Sequence, residues 1–342
     1  MKAAFTAAAL AIGLGMAATP AFAQNVKITP VGSHPGELCA NDRATIFEDP
    51  TGVRLLYDVG HTLTGTDDAR LGTIHVVLLS HAHGDHIGDQ KLKALAGGTC
   101  GNSARIPAGS NSMTAEVAAA KNAAIAMTSD MGNFVGRKIQ NITGKPVAAC
   151  PATAGVTNVP VAAPCRSNTH LGGAFIVKAP NAAQGVEITI VYASHANNPP
   201  LSMLSDAQRP LHEADGTGLV VGPPTGLVVK FTNGLVAYLS GDTGIHTEMK
   251  TVVNDYHKAT LAVLNLGTSA GTVTSGAYAM NDLVKPASVI LTHVNEAATE
   301  GGKLRPNSRT AAVIKALKAP AHLAISGRTM EFDGKGKCVA GC

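Results

Sequence analysis

The stretch His81-Ala82-His83-Gly84-Asp85-His86 decides how this chain is interpreted. It places three imidazoles and one carboxylate within six residues, directly after the apolar run of residues 74–79. A short apolar run bounded by polar residues is typical of a buried β-strand. Imidazole and carboxylate groups together suit zinc and neighbouring first-row metals. The sequence therefore predicts a metal site in the loop after this strand, and a polar loop without metal is the alternative.

Three later strands are predicted to end in a potential ligand. Residues 186–193 alternate apolar and polar side chains and lead to His195. Residues 227–231 and 235–239 flank the turn dipeptide Asn233-Gly234, so they predict a hairpin whose second strand leads to Asp242. Residues 289–292 form a further strand that leads to His293. Four strand ends that each present a histidine or aspartate can meet at one edge of a sheet.

The remaining pattern predicts a layered α/β protein. Three helices are predicted: one that begins at 89–95, one over the Ala-rich residues 112–127, and one over 308–317. Mixed strands and helices in this order fit layered α/β packing. Further strands are predicted at 26–30, 44–47, 53–59, 73–80, 261–266, 321–325 and 329–332.

A change of composition near Gly97 predicts an inserted segment. Residues 97–184 are rich in Gly, Ala, Asn and Pro, and the four prolines of 144–168 favour irregular structure. We interpret 97–184 as an Ala- and Pro-rich insertion that covers a site. The alternative is that part of it completes the core.

The motif and the three distant residues resemble the metallo-β-lactamase superfamily of metal-dependent hydrolases. The resemblance implies a four-layer αββα sandwich, with a metal site at one edge between the sheets. It also implies two divalent ions, zinc by preference, although manganese or iron stays open. The implied ligands are His81, His83 and His195 for the first metal, Asp85, His86 and His293 for the second, and Asp242 as a bridge.

The same resemblance implies a hydrolytic mechanism. A water shared by two such ions has a lowered pKa and is ready to attack an ester, lactone or phosphoester. Asp85 is a candidate catalytic residue because it can orient that water. His246, four residues after Asp242, is a candidate general acid, although a solvated loop histidine is the alternative. Asp58 is expected to hold the ligand loops by hydrogen bonds rather than to bind metal.

Asp242 also narrows the substrate. Antibiotic-hydrolysing members usually have Cys or Ser at this position, whereas Asp is similar to the lactonase, glyoxalase, ribonuclease Z and phosphodiesterase branches. We therefore predict a small-molecule substrate, a small phosphodiester or a lactone. A β-lactamase and a non-catalytic exported metal-binding protein remain as alternatives.

The N-terminus predicts export. A basic start, an apolar stretch and Ala21-Phe22-Ala23 form a secretory signal peptide over residues 1–23, so that 24–342 is the hydrolase domain in the periplasm or outside the cell. A retained membrane anchor is the alternative, and no later stretch is apolar enough for a membrane span. The net charge of +4, without a basic stripe, does not suggest nucleic-acid binding.

Six cysteines in an exported chain favour disulfides. Proximity along the sequence pairs Cys150 with Cys165 and Cys338 with Cys342, which leaves Cys39 for Cys100. Other pairings stay open at this point, and the sequence does not predict an oligomeric state.

Overall fold

The computed structural model describes residues 24–40, 42–109, 111–267 and 272–342. The predicted signal peptide, residues 1–23, lies outside these ranges. Within them, no helix is both long enough and apolar enough to cross a membrane.

Two eight-stranded sheets form the centre of the fold, and both ends of the described chain contribute to the first. In spatial order, its strands are β20 (Cys338–Ala340), β19 (Met330–Phe332), β1 (Val26–Pro30), β2 (Thr45–Glu48), β3 (Arg54–Tyr57), β4 (Val76–Leu78), β7 (Ala124–Ala126) and β9 (Cys165–Arg166). The strands β3, β4, β7 and β9 are parallel to one another. Their carboxyl ends therefore lie at the same edge of the sheet.

The second sheet follows the chain more closely. In spatial order, its strands are β18 (Ala321–Leu323), β15 (Ser288–Thr292), β14 (Leu261–Asn265), β13 (Val236–Leu239), β12 (Thr225–Lys230), β11 (Val186–Tyr192), β10 (Ala174–Lys178) and β8 (Val156–Asn158). β12 is antiparallel to both β11 and β13, which therefore point the same way. β14, β15 and β18 are parallel to β13, so five strands, including β11, end at one edge.

Helices cover the outer faces of the two sheets. They are Gly84–Ile87, Met113–Ala120, Ser129–Thr143, Leu201–Met203, Arg209–Asp215, Met249–Tyr256, Val273–Tyr278, Ala279–Val284 and Arg309–Ala316. Two of them begin with a serine cap: Ser112 Oγ accepts from the N–H of Ala115, and Ser308 Oγ accepts from the N–H of Ala311.

Alternation along the strands of the first sheet builds two apolar layers. Leu55 and Tyr57 of β3 face the second sheet and share a core with Ile190 and Leu239. Leu56, between them, faces the other way into a core shared with Val135 and the rest of the helix Ser129–Thr143. Because successive side chains of a strand point to opposite faces, one apolar run fills both layers.

Three predicted features differ from the structure. Residues 89–95 do not begin a helix: β5 (Gln90–Leu92) pairs antiparallel with β6 (Arg105–Pro107). The predicted helix 112–127 is wrong beyond Ala120, because Ala124–Ala126 forms β7, which lies between β4 and β9 in the first sheet. The segment 97–184, interpreted as an insertion, contributes β7 and β9 to the first sheet and β8 and β10 to the second. Much of it therefore completes the core.

The structure contains the three disulfides that sequence proximity predicted. They join Cys39 with Cys100, Cys150 with Cys165, and Cys338 with Cys342. The first ties the segment before β2 to the loop between β5 and β6, close to the edge at which the strands end.

A small antiparallel pair, β16 (Thr299–Glu300) and β17 (Lys303–Leu304), follows β15.

Candidate metal centre

The carboxyl ends of the parallel strands deliver the predicted ligands to one place. His81 follows β4 of the first sheet. His195, Asp242 and His293 follow β11, β13 and β15 of the second sheet. Residues with left-handed backbone follow two of these strands: Gly241 has φ of 58° after β13, and His293 has φ of 49° after β15. The sheet topology therefore brings together residues as distant along the chain as His81 and His293.

All seven predicted ligands converge at this edge. Their ligand atoms form three overlapping groups in which all atoms lie within 4.8 Å of one another. The groups are His81–His83–His195, His81–His86–Asp242 and Asp85–His86–His293. The resemblance implied two of these sets: we call His81–His83–His195 the first group and Asp85–His86–His293 the second group.

Asp242 lies between the two sets. Its Oδ2 atom is 3.9 Å from His195 Nε2 on one side. On the other side it is 3.5 Å from His86 Nε2 and 3.4 Å from His293 Nε2. One carboxylate oxygen thus faces imidazole nitrogens of both sets, which is the position that a bridging ligand needs.

The centre is buried on one side and open on the other. His81, His86, His293 and Asp242 are buried. The side chains of His195 and Asp85 are 25% and 35% exposed. A small molecule can therefore approach from the side of His195 and Asp85, whereas the buried residues are shielded from water.

Burial sets the protonation of the first group. It lowers the pKa of His81, of His83 and of His195, and the positive charge of His86 lowers the pKa of His81 further. These imidazoles are therefore neutral at pH 7 and can offer a lone pair to a cation.

The second group has the opposite electrostatic character. Burial alone would lower the pKa of His86, but the carboxylates of Asp242 and Asp58 raise it to about 10. Burial alone would raise the pKa of Asp242, but the positive charge of His86 holds it well below its usual range. The pocket around His86 thus stabilises positive charge.

The donor set fits a divalent metal. His86 Nε2 is buried and has no hydrogen-bond partner, although it faces Asp242. An orphaned buried nitrogen among imidazoles and carboxylates is what a metal site presents without its ion. A cation there would satisfy this atom.

Asp58 holds the motif in place, as the sequence predicts. Its carboxylate accepts hydrogen bonds from the Ser80 N–H at 2.9 Å and from His86 Nδ1 at 2.8 Å. This leaves His86 Nε2 as the ligand atom. Asp58 is fully buried and has φ of 43°, in the left-handed region that aspartate tolerates.

Sequence reasoning missed three residues of the centre. Asn197 Oδ1 accepts a hydrogen bond from the Ala82 N–H, and Asn265 Nδ2 donates to Asp242 Oδ1 at 3.1 Å. Arg43 Nη2 lies 2.5 Å from Asp85 Oδ2. Asn265 ends β14 at the same edge as the ligands, so the strand-end rule that found Asp242 could have found it as well.

Three other histidines, His34, His61 and His246, do not belong to the ligand groups. His34 Nδ1 lies 3.0 Å from Ser33 Oγ, and His61 Nε2 lies 2.5 Å from Asp89 Oδ1. The ring of His246 contacts Tyr192 edge-on at 5.1 Å, and both its nitrogens are buried without a hydrogen-bond partner. The general-acid role of His246 stays a prediction.

Comparison with known proteins finds relatives that are named as metal-dependent hydrolases. No family model matches the chain. A UPF0173 metal-dependent hydrolase of Staphylococcus saprophyticus is 21% identical over 255 residues, which are 73% of this chain and 82% of that protein. A UPF0173 metal-dependent hydrolase of a Polaromonas species is 30% identical over 115 residues, which are 32% of this chain and 38% of that protein.

Solved structures decide the fold. Igni18, a metallo hydrolase of the archaeon Ignicoccus hospitalis, superposes with a TM-score of 0.54 at 20% identity, covering 90% of this chain and 99% of that one. YhfI of Bacillus subtilis, a metallo-β-lactamase fold protein, superposes with a TM-score of 0.50 at 13% identity and the same coverage. The chain has the metallo-β-lactamase fold. The predicted αββα sandwich is confirmed, and the predicted enzyme class agrees with the names that the relatives carry.

Proposed function

We propose that this metallo-β-lactamase fold protein is an exported metal-dependent hydrolase of small phosphodiesters or lactones. The observation that carries the proposal is the position of Asp242 Oδ2, which lies within 3.9 Å of His195 on one side and of His86 and His293 on the other. This arrangement supports two divalent ions, with zinc favoured by the imidazole-rich ligand set.

A divalent pair bound there supplies Lewis acidity and a water of lowered pKa. The residues of the chain perform the remaining tasks. His81, His83 and His195 would hold the first ion as neutral donors, and the negative charge of Asp242 would offset the repulsion between two bound ions. Asp85 is partly exposed beside the second group, so its carboxylate can accept a hydrogen bond from a water and orient it.

Two observations support export. The first residues have the pattern of a signal peptide. All six cysteines are paired in disulfides, which persist in oxidising compartments outside the cytoplasm. We therefore place the enzyme in the periplasm or outside the cell, with small molecules rather than nucleic acid or membranes as partners.

The aspartate at position 242 also bears on the substrate. By the resemblance, an aspartate that faces both metal groups is similar to phosphodiesterases and lactonases rather than to antibiotic-hydrolysing enzymes. A phosphodiester and a lactone both place an electrophile and a developing negative charge at the reacting centre. The same centre can therefore stabilise either reaction.

The test is a substrate panel on the metal-replete chain. The panel contains a p-nitrophenyl phosphodiester, a lactone and a β-lactam, each measured with and without a chelator. We expect chelator-sensitive turnover of the first or the second. The variant Asp242→Ala should lose second-ion occupancy and most of the activity, whereas Asp242→Asn tests the charge alone.

Two outcomes would overturn the proposal. Stoichiometric metal without turnover of any substrate would favour a metal-binding protein instead. Turnover of the β-lactam alone would favour an antibiotic-hydrolysing enzyme. Wild-type rates from Asp242→Ala would remove the bridging role.

A further inference from the structure

Arg43 interacts with two ligand atoms of the second group. Its Nη2 atom donates to Asp85 Oδ2 at 2.5 Å and to His293 Nε2 at 2.7 Å. These two atoms, together with His86, form one of the convergent groups. Zinc–ligand distances are about 2.0–2.2 Å for such atoms, so the guanidinium nitrogen occupies nearly the place of a cation.

The arginine is built into this place rather than reaching in from the surface. Its side chain is 2% exposed. The preceding residue, Asp42, is hydrogen bonded through its carbonyl to the His293 N–H at 3.1 Å. The Asp42 carboxylate accepts from the N–H groups of Ser33 and Cys39, and the Cys39–Cys100 disulfide closes the segment. These contacts therefore fix the position of the Arg43 backbone, from which the side chain extends to Asp85 and His293.

Gly60 leaves room for the arginine stem. A Cβ atom at Gly60 would lie 3.2 Å from Arg43 Cγ and 2.9 Å from the Asp85 carbonyl oxygen. The φ of Gly60 is 55°, which also favours glycine. A side chain at this position would press on both partners of the Arg43–Asp85 ion pair.

A cation can bind to the second group only if it displaces the Arg43 guanidinium from Asp85 and His293. The guanidinium carries a positive charge, so it repels a dication that approaches Asp85 and His293. Asp85 Oδ2 and His293 Nε2 would have to exchange the guanidinium for the ion, which would leave a buried charge without those two partners. In the described part of the chain, no hydrogen bond or ion pair joins His81, His83 or His195 to a lysine or arginine.

We propose that Arg43 is a built-in competitor for the second cation, so that the centre binds its two ions in separate steps of unequal affinity. The inference rests on the proposed function, since it concerns the same centre. The first ion fills the group of His81, His83 and His195 tightly. The second displaces the guanidinium and binds more weakly, so Arg43 supplies the positive charge beside Asp85 when metal is scarce.

The experiment counts ions and does not depend on activity. The full chain, with its disulfides intact, is stripped with a chelator and titrated with Zn²⁺ against a chromophoric competing chelator; bound zinc is counted by mass spectrometry. We expect two resolved steps, the second about 10- to 100-fold weaker than the first. His293→Ala should abolish the weak step alone and so assign it to the second group.

Arg43→Met tests the competitor directly. This variant should raise the zinc affinity of the second step by about 10- to 100-fold and change that of the first step much less. Arg105→Met is the matched control. Burial and the like charge of Arg43 lower the pKa of Arg105, so a positive charge is removed nearby without touching Asp85 or His293. Its second step should stay close to wild type.

Three results would overturn the inference. One is a wild-type chain that binds both ions in a single step, which decides the matter even where Arg43→Met does not fold. The second is an Arg43→Met variant whose second step has unchanged zinc affinity. The third is an Arg105→Met variant whose second step gains as much zinc affinity as that of Arg43→Met. Single-step binding with turnover removes the inference and leaves the proposed function standing, whereas a chain that binds no zinc removes both.

Discussion

Asn197 joins two loops of the candidate metal centre, because its side-chain oxygen accepts a hydrogen bond of 2.7 Å from the backbone N–H of Ala82. Ala82 lies between His81 and His83, and Asn197 follows His195 by two residues. The Asn197 amide also donates to the Gly222 carbonyl at 3.0 Å. One buried side chain thus sets the separation between the ligands of the first group.

We expect Asn197→Leu to weaken the binding of the first ion. The variant leaves the Ala82 N–H buried without its partner, which costs about 1–3 kcal/mol of stability. Loss of a residue that orients ligands lowers metal affinity by about 10- to 100-fold. Zinc competition titration and thermal unfolding measure the two effects. Asn198→Leu is the control, since among the described residues the Asn198 side chain donates to the Leu219 carbonyl and not to the loop of His81 and His83. An equal loss of zinc affinity in Asn198→Leu would remove the positioning role of Asn197.

Asp58→Asn should weaken metal binding by the second group. The substitution removes the negative charge that accepts the hydrogen bond from His86 Nδ1 at 2.8 Å. Because that charge makes the imidazole a better donor, we expect metal affinity to fall by about 10- to 100-fold. The readout is the number of zinc ions retained after dialysis against a weak chelator.

Asp49→Asn is the matched control for Asp58. Asp49 is also a buried carboxylate, but it accepts from the Thr232 N–H at 2.8 Å, in the β12–β13 turn. We expect this variant to lose stability while it retains zinc. Equal zinc retention in the two variants would show that Asp58 has no special role in the centre.

Asp68 predicts how stability depends on pH. Burial alone would raise its pKa, but hydrogen bonds from Arg70 and Thr64 lower it from 3.8 to about 2. Since the folded value lies below the unfolded value, the stabilisation is present above pH 4 and is lost as the pH falls towards 2. The shift corresponds to about 2 kcal/mol.

Asp68→Asn should therefore lower the free energy of unfolding by about 2 kcal/mol at pH 7 and by much less near pH 2. Urea unfolding of the metal-free chain at both pH values measures the difference. Asp67→Asn changes the neighbouring exposed carboxylate and should have little effect at either pH. A loss in Asp68→Asn that stays constant between these pH values contradicts the expectation.

His246→Gln tests the predicted general acid. A general acid matters most when the leaving group is a poor one, so we expect turnover of an alkyl phosphodiester to fall by about 100-fold or more and of a p-nitrophenyl ester much less. Burial lowers the pKa of His246, so the difference should grow as the pH is lowered. Zinc content should not change.

His257→Gln is the control for His246. His257 is another partly buried histidine whose pKa is lowered by burial, and it contacts Tyr256 edge-on. If His246→Gln slows turnover of the alkyl phosphodiester and of the p-nitrophenyl ester equally, or slows neither, His246 is not the proton donor.

The sequence predicted most of the centre because ligands follow strands. His81, His195, Asp242 and His293 each come directly after an apolar run, and a strand pattern is visible over a few residues. The hairpin around Asn233-Gly234 was visible for the same reason. These are local signals, so no knowledge of the rest of the chain is needed to read them.

The errors arose where a partner distant in sequence decides the local structure. Gln90–Leu92 is a strand because it pairs with Arg105–Pro107, and neither segment has a strong pattern of its own. Ala124–Ala126 continues an Ala-rich helical pattern, yet it is buried between β4 and β9. Here tertiary contacts override helix propensity, which for any one residue is a weak preference.

The amino-acid sequence by itself determined the type of chemistry: three histidines and an aspartate in six residues, and three further ligands at strand ends. The tertiary structure decided which side chains surround those ligands. Arg43 lies 250 residues from His293 along the chain, and Asn197 lies 115 residues from Ala82. No local pattern encodes such contacts, because they arise only when the two sheets pack and their strand ends meet at one edge.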